Sequence, residues 1–161
     1  MVVLAVSVFF GAAWTQAGAG SPRVHSIDGT YELIERVLPN GTVLRPPSVM
    51  ALYTLSHGRF SLNLFFKNPD GTLASESTIG RYTFSQQRYC EWIAHTIRNN
   101  FGRPGVSNTA PVLAQHCAPV TSQNGRYRFA PPGEGLVMSV GAEGFEAKID
   151  GGVKEYWTKV R

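Results

Sequence analysis

The chain has little charge, few cysteines and no catalytic or metal-binding motif. Of its 161 residues, 16% are charged and 43% are hydrophobic, which excludes a disordered chain. It has only two cysteines, no Cys-x-x-Cys spacing and no close pair of histidines, so no metal site is predicted. A phosphate-binding loop and a Ser-His-Asp order are also missing. Nucleophilic or metal catalysis therefore has no support, and no cofactor is predicted.

Basic residues exceed acidic ones, but they are not clustered. The formal net charge is +4, and Arg126 and Arg128 are the nearest approach to a basic cluster. No aromatic-basic RNA motif accompanies them, so nucleic acid is not a predicted partner. The charge supports only a weak preference for anionic surfaces or ligands.

The first 20 residues contain no charge, and they begin with a nearly unbroken apolar run to Phe10. They end in small residues, Ala17-Gly18-Ala19-Gly20, as a secretory signal peptide does before its cleavage site. The alternatives are an uncleaved anchor and an apolar strand of the fold. We expect residues 1–20 to be a signal peptide and residues 21–161 to form one secreted or lumenal domain. Contact with a membrane is expected only through the leader.

A hairpin over Val49–Phe66 is the strongest structural signal in the chain. Its second arm alternates Phe60, Leu62, Leu64 and Phe66 with mostly polar residues, the period of a strand with one apolar face. The first arm is apolar on both faces, which predicts a position in the middle of a sheet. A tight turn at Ser56-His57-Gly58 joins the two arms.

Other segments also predict short strands rather than helices. Turn signals recur about every 8 to 12 residues, and the sequence contains 17 Gly and 10 Pro. Asn99 to Pro111 is predicted to be the longest loop. We predict an all-β fold, an antiparallel up-and-down β-barrel of about 8–10 strands. The other predicted strands are Tyr31–Leu38, Val43–Arg45, Ile79–Ser85, Arg88–Arg98, Val112–Ala118, Arg126–Ala130, Leu136–Val140, Phe145–Ile149 and Val153–Val160.

Three stretches resemble the lipocalin-like family, whose barrels belong to the calycin type. Gly29-Thr30-Tyr31-Glu32-Leu33 is similar to the family's opening Gly-x-Trp strand, with Tyr31 in place of the Trp. Glu155 to Arg161 is similar to the closing strand. Tyr53 to Ser61 resembles the Tyr-Thr-x-x-Gly-Arg-hydrophobic-Ser hairpin of bacterial and fungal members. The resemblance implies a lipocalin-like barrel with a cavity for a small hydrophobic molecule.

Several side chains are candidates for contact with such a ligand. Most are large and apolar or aromatic and lie on predicted strands, while Arg59 belongs to the polar stripe of the central hairpin. That arginine could orient a ligand carboxylate from the lumen, or it could face solvent. The candidate ligand-binding residues are Tyr53, Arg59, Phe60, Leu62, Leu64, Tyr82, Phe84 and Tyr127.

One strand carries a candidate acid and base. By alternation, Glu91, Ile93 and His95 share one face of the strand, and Trp92 lies on the other. If the Glu91 face points inward, Glu91 and His95 could act as an acid/base pair. The alternative, which the sequence favours, is that Trp92 faces the interior while Glu91 and His95 are solvated.

Cys90 and Cys117 have two possible states. In an oxidising compartment they could form one disulfide, and otherwise they are two independent buried thiols. The sequence does not decide between them.

Three functions remain open at this point. The first is a secreted carrier of a small hydrophobic molecule. The second is a cofactor-independent isomerase or cyclase, acting on lipid-like or polyketide-like substrates through Glu91 and His95. The third is a structural or interaction module with a filled core. The oligomeric state cannot be read from the sequence.

Overall fold

The structure consists almost entirely of short strands. It is a computed structural model and describes residues 26–67, 70–101, 104–110, 115–131 and 135–161. The predicted signal peptide lies outside the described residues. Within them, no helix is long and apolar enough to cross a bilayer, and Asp150–Gly152 forms a 3-10 turn. The strands are β1 (Gly29–Val37), β2 (Val43–Leu44), β3 (Val49–Ser56), β4 (Arg59–Lys67), β5 (Leu73–Phe84), β6 (Arg88–Asn99), β7 (Val106–Thr109), β8 (His116–Pro119), β9 (Thr121–Gln123), β10 (Arg126–Phe129), β11 (Leu136–Val140), β12 (Gly144–Ile149) and β13 (Val153–Lys159).

All of these strands belong to one antiparallel sheet that curls into a half-barrel. The order across the sheet is β7-β6-β5-β4-β3-β1-β13-β12-β11-β10-β9, with β2 paired to β1 and β8 paired to β6. The predicted all-β, antiparallel up-and-down architecture is confirmed. β1 pairs with β3 on one side and with β13 on the other. The first strand of the chain therefore lies beside the last one. A half-barrel of this kind is compatible with a calycin-like fold.

The segment from β8 to β9 links the two ends of the sheet. β8 pairs with β6, β9 pairs with β10, and Val120 lies between β8 and β9. The backbone N–H of Val120 donates to the carbonyl of Gln87 at 2.9 Å. Across the same end, the rings of Tyr89 and Phe129 stack with centroids 4.5 Å apart. The half-barrel is therefore closed at this end by one extended segment.

The central hairpin forms as predicted. β3 and β4 pair without interruption from Val49 with Phe66 to Ser56 with Arg59. His57 and Gly58 both have positive φ, 49° and 74°, as a two-residue hairpin turn of the primed kind requires. β3 lies between β4 and β1, so its predicted position inside the sheet is confirmed.

Some strand predictions differ from the structure. β5 begins at Leu73 rather than Ile79. β7 lies inside the segment predicted to be a loop. Of the predicted strand Val112–Ala118, residues 112–114 lie outside the described residues, and β8 begins at His116. The count of 13 strands exceeds the predicted 8–10, and two short strands that were not predicted, β7 and β9, add four and three residues to a longer neighbour. The predicted strand Val43–Arg45 corresponds to β2.

Two β-bulges decide which side chains face the interior. In β6, Ala94 is the extra residue, since Ile79 pairs with His95 while Gly80 pairs with Ile93. In β1, the extra residue is Ile34. A bulge adds one residue to one strand, so the alternation of faces shifts beyond it. Inward-facing side chains of the curled sheet form the core, and we call their side the inner face and the opposite side the outer face.

Candidate binding site on the inner face

Aromatic rings cover much of the inner face. Tyr53 makes edge-to-face contacts with Phe60 and Phe145, both with centroids 6.0 Å apart. Phe145 also stacks on Trp157 with centroids 5.0 Å apart. Edge-to-face and offset arrangements are the preferred packings of aromatic side chains. These rings join β3, β4, β12 and β13 into one apolar wall.

Other apolar side chains of the inner face, together with Tyr53, stay partly accessible to water. The accessible side chains pack against the buried core yet keep intermediate exposure, unlike Leu33 and Val49, which are fully buried. Apolar surface left open on a concave face is typical of a site that takes an apolar ligand. We call this set the open wall: Tyr53, Leu62, Phe66, Ile93, Phe101 and Leu136.

The predicted ligand-binding residues divide between the two faces. Phe60, Leu64, Tyr82 and Tyr127 are buried, while Tyr53, Leu62 and Phe84 are partly exposed and pack against the core. Alternation along β3, β4, β5 and β10 puts these side chains on the inner face. Arg59 is exposed, and in the register of β4 and β5 it lies directly opposite Arg81. It therefore lies on the outer face, which the sequence left as one of two possibilities.

Glu91 is the unusual polar group of the inner face. Only 3% of the residue is exposed, and its Oε2 accepts a hydrogen bond of 2.7 Å from the hydroxyl of Tyr89. Among the described residues, no group forms a hydrogen bond with its Oε1, which is also buried. The expectation that Glu91 is solvated while Trp92 faces the interior is therefore wrong. A buried carboxyl oxygen without a partner is costly and uncommon, and it suggests a functional role.

Burial also determines the acidity of this group. Burial raises the pKa of Glu91, and the opposing effects of the Tyr89 hydrogen bond and of nearby His116 are smaller. Burial likewise raises the pKa of Tyr89, with further contributions from Tyr53 and Glu91. The side chains of Tyr89 and Tyr53 also share a hydrogen bond. Tyr89 and Glu91 are buried and Tyr53 is partly exposed, and the three side chains form one connected set in which burial favours the protonated form of Glu91.

His95 is not part of this set. Because Ala94 forms a bulge, Glu91 and Ile93 point to the inner face while His95 points to the outer face, opposite Ile79. After the bulge, Thr96 is the inward residue, and its hydroxyl lies 3.0 Å from the hydroxyl of Thr78. The predicted Glu91 and His95 pair is therefore not brought together. The face assignment failed because strict alternation does not hold across a bulge.

A second polar group on the inner face was not predicted from the sequence. Arg36 forms an ion pair of 2.8 Å with Glu155, and these side chains are only 14% and 8% exposed. Glu155 also accepts a hydrogen bond from the indole of Trp157 at 3.0 Å. The guanidinium of Arg36 lies 5.6 Å from the ring centroid of Phe66. The bulge at Ile34 is what turns Arg36 inward, so the alternation of β1 gave no signal for it.

A third polar group lies beside the open wall. Arg98 forms hydrogen bonds of 2.9 and 3.2 Å with the two carboxylate oxygens of Glu76. Its guanidinium also lies 5.4 Å from the ring centroid of Phe101. Among the described residues, the two arginines that point to the inner face each pair with a carboxylate, although the buried Nε of Arg36 has no hydrogen-bond partner. Within the same residues, Glu91 is the carboxyl group that has a buried oxygen without a partner.

Cys90 and Cys117 form a disulfide. They are directly opposite each other in β6 and β8, next to the pair Glu91 and His116. Of the two states that the sequence allowed, the structure has the bonded one. Because disulfides persist in oxidising compartments, the bond is compatible with an extracellular environment.

Within the described ranges, no group of three or more His, Cys, Asp or Glu side chains could hold a metal ion. Comparisons of the chain with protein-family models, with curated proteins and with solved structures gave no match.

Proposed function

We propose that the protein is a lipocalin-like carrier that binds a small hydrophobic molecule on the inner face of its half-barrel. The observation that carries this proposal is the open wall, where apolar side chains are partly exposed on a concave surface. Leaving apolar area in water costs about 25 cal/mol per Å², so a ligand that covers the open wall gains that free energy. The polar groups at its margins can orient the ligand.

The proposed carrier is secreted. We propose that residues 1–20 are removed as a signal peptide and that residues 21–161 are the mature lipocalin-like domain. Support comes from the uncharged leader, its small-residue end and the disulfide between Cys90 and Cys117. The first measurement is native mass spectrometry of the purified protein, with solvent extraction of any mass that is lost on denaturation. A stoichiometric apolar passenger would identify the ligand class.

The variant Leu62→Lys tests the position of the site. Leu62 belongs to the open wall, so a lysine there places a charge where the ligand's apolar body would lie. We expect its affinity for N-phenyl-1-naphthylamine, a neutral apolar fluorophore, to fall at least tenfold, about 1.4 kcal/mol. Fluorescence titration measures this affinity, and displacement by the extracted passenger shows that both occupy one site.

The matched control is Leu52→Lys. Leu52 lies on the neighbouring strand β3, points to the outer face and is 48% exposed. The variant therefore introduces the same charge away from the open wall. Its affinity for the fluorophore should stay within about twofold of the wild type. Leu62→Trp, which fills the wall without adding charge, should also weaken binding. Equal affinities for all three variants would contradict a ligand site on the open wall.

A second candidate function rests on Glu91 alone. Its unpaired buried oxygen and raised pKa are properties of a general acid or base, so a cofactor-independent isomerase or cyclase on the same scaffold is the alternative. Since His95 lies on the outer face, Tyr89 replaces it as the neighbour that positions the carboxyl group. Glu91 would transfer a proton at a carbon next to a carbonyl group of a lipid-like or polyketide-like substrate.

The enzyme alternative predicts that Glu91→Gln abolishes proton transfer. Glutamine retains the size and a hydrogen-bond acceptor for Tyr89 but cannot carry the proton. We expect deuterium incorporation from D2O into the extracted passenger to fall at least about 100-fold, with little change in affinity. His95→Ala should retain the wild-type rate. Equal incorporation by the wild type and Glu91→Gln would exclude Glu91 as the acid or base.

A further inference from the structure

The outer face of β3, β4, β5 and β6 is basic and, among the described residues of these strands, contains no acid. Arg59, Lys67, Arg81 and Arg88 point outward and are exposed. The two acids of these strands, Glu76 and Glu91, lie on the inner face, where they pair with Arg98 and Tyr89. These cations give the outer face of β3–β6 a positive potential, while Glu32 of neighbouring β1 also points outward, opposite Leu52.

Two of these arginines are placed against each other. Arg59 and Arg81 are directly opposite in β4 and β5. Like charges opposite each other in an antiparallel pair are destabilising. Among the described residues, no acid forms an ion pair with either guanidinium. An anionic partner would remove this repulsion.

The same face also exposes large apolar side chains. Beside them runs a groove of about 550 Å³, whose lining includes the apolar Met50, Leu52, Phe65 and Ile97 and, at the β1 side, Glu32. Trp92 is partly exposed directly opposite Arg81. Exposed apolar residues in a group indicate a docking surface rather than ordinary surface. The most exposed of them are Met50 (44%), Leu52 (48%), Leu73 (53%), Ile79 (50%) and Ile97 (42%).

This combination fits one class of partner. Nucleic acid offers anionic groups but no apolar layer for leucine and isoleucine side chains. A second copy of the chain would bring Arg59 and Arg81 against the same arginines. An anionic bilayer satisfies both properties, since its head groups attract the cations and its acyl boundary accepts the apolar residues and tryptophan.

We propose that the outer face of β3–β6 docks on a membrane surface that contains anionic lipids, a contact in addition to the one that the sequence predicts for the leader. The contact lies on the side of the sheet opposite the open wall, so both surfaces can be occupied at once. It does not depend on the carrier function. If both hold, the docked protein would hold its hydrophobic molecule beside the membrane.

The test is flotation of the purified protein with two kinds of vesicle, phosphatidylcholine alone and phosphatidylcholine mixed with phosphatidylserine. We expect binding to the mixed vesicles that weakens with salt. Each cation near an anionic surface contributes about fivefold to binding, so R59E/R81E should bind at least about 30-fold more weakly. L52S/I79S should bind about tenfold more weakly, because it removes apolar contact with the bilayer. V43S, which replaces an exposed valine on β2, should change the affinity little.

The matched control is K148E/K154E. Lys148 and Lys154 are exposed and directly opposite in β12 and β13, so this variant changes the net charge by the same amount on another part of the sheet. Its binding should stay within about threefold of the wild type. Equal binding to both vesicle types, or equal losses in both charge-reversal variants, would overturn the proposal. So would full competition by inorganic phosphate, which would indicate an anion site alone.

Discussion

Replacing both Cys90 and Cys117 by alanine is expected to lower the free energy of unfolding by about 3.5 kcal/mol. The disulfide joins residues 27 positions apart, and opening a loop of that length restores conformational entropy to the unfolded chain. For a domain of this size, the melting temperature should fall by about 10 °C. Thermal and urea unfolding, followed by circular dichroism, measure both quantities.

The oxidised wild type treated with a reductant provides the control. It should unfold at the same midpoint as the alanine variant, while the variant itself should not respond to the reductant. Intact mass after alkylation reports the state of the two thiols in each sample. If the reduced wild type and the variant keep the oxidised midpoint, the bond does not tie β8 to β6 in the folded protein.

The central hairpin could be predicted from the sequence because its signals are local. Alternation from Phe60 to Phe66 and the turn at His57-Gly58 determine the strands, their pairing and the direction of their side chains. The edge strands have no such signals. β7 and β9 consist largely of Ser, Asn, Thr and Gln, and they are strands because the backbone of a longer neighbour offers hydrogen bonds.

The candidate site could be predicted only in part. Glu91 was identified, but its face and its partner were not, because the bulge at Ala94 shifts the alternation before His95. A weak signal for this irregularity exists at Gly80, opposite the bulge. A Cβ there would collide with the ring of Phe60 and the carbonyl of Trp92. Arg36 and Glu155 were missed because they meet only when the first and last strands pair.

The pH dependence of the free energy of unfolding reports the ionisation of Glu91. Burial raises its pKa in the folded protein, so the folded state holds this proton more tightly than the unfolded chain does. In the unfolded chain the pKa of a glutamate is about 4.3. Below that pH, Glu91 is protonated in both the folded and the unfolded state, so it does not lower the free energy of unfolding. As pH rises from there through the folded pKa, the unfolded state gains by releasing the proton and stability falls. Glutamine cannot ionise, so Glu91→Gln should lack this fall.

We therefore expect the unfolding free energies of the wild type and Glu91→Gln to agree within about 0.5 kcal/mol at pH 4 and to diverge toward pH 8, with the variant the more stable. Urea unfolding across this pH range measures the difference. Glu143→Gln is the control, because the Glu143 side chain is 79% exposed and its replacement should not give a growing advantage as pH rises. Parallel curves for the wild type and Glu91→Gln would mean that Glu91 ionises as readily in the folded protein as in the unfolded chain. That result would also remove the basis for an acid or base at this position.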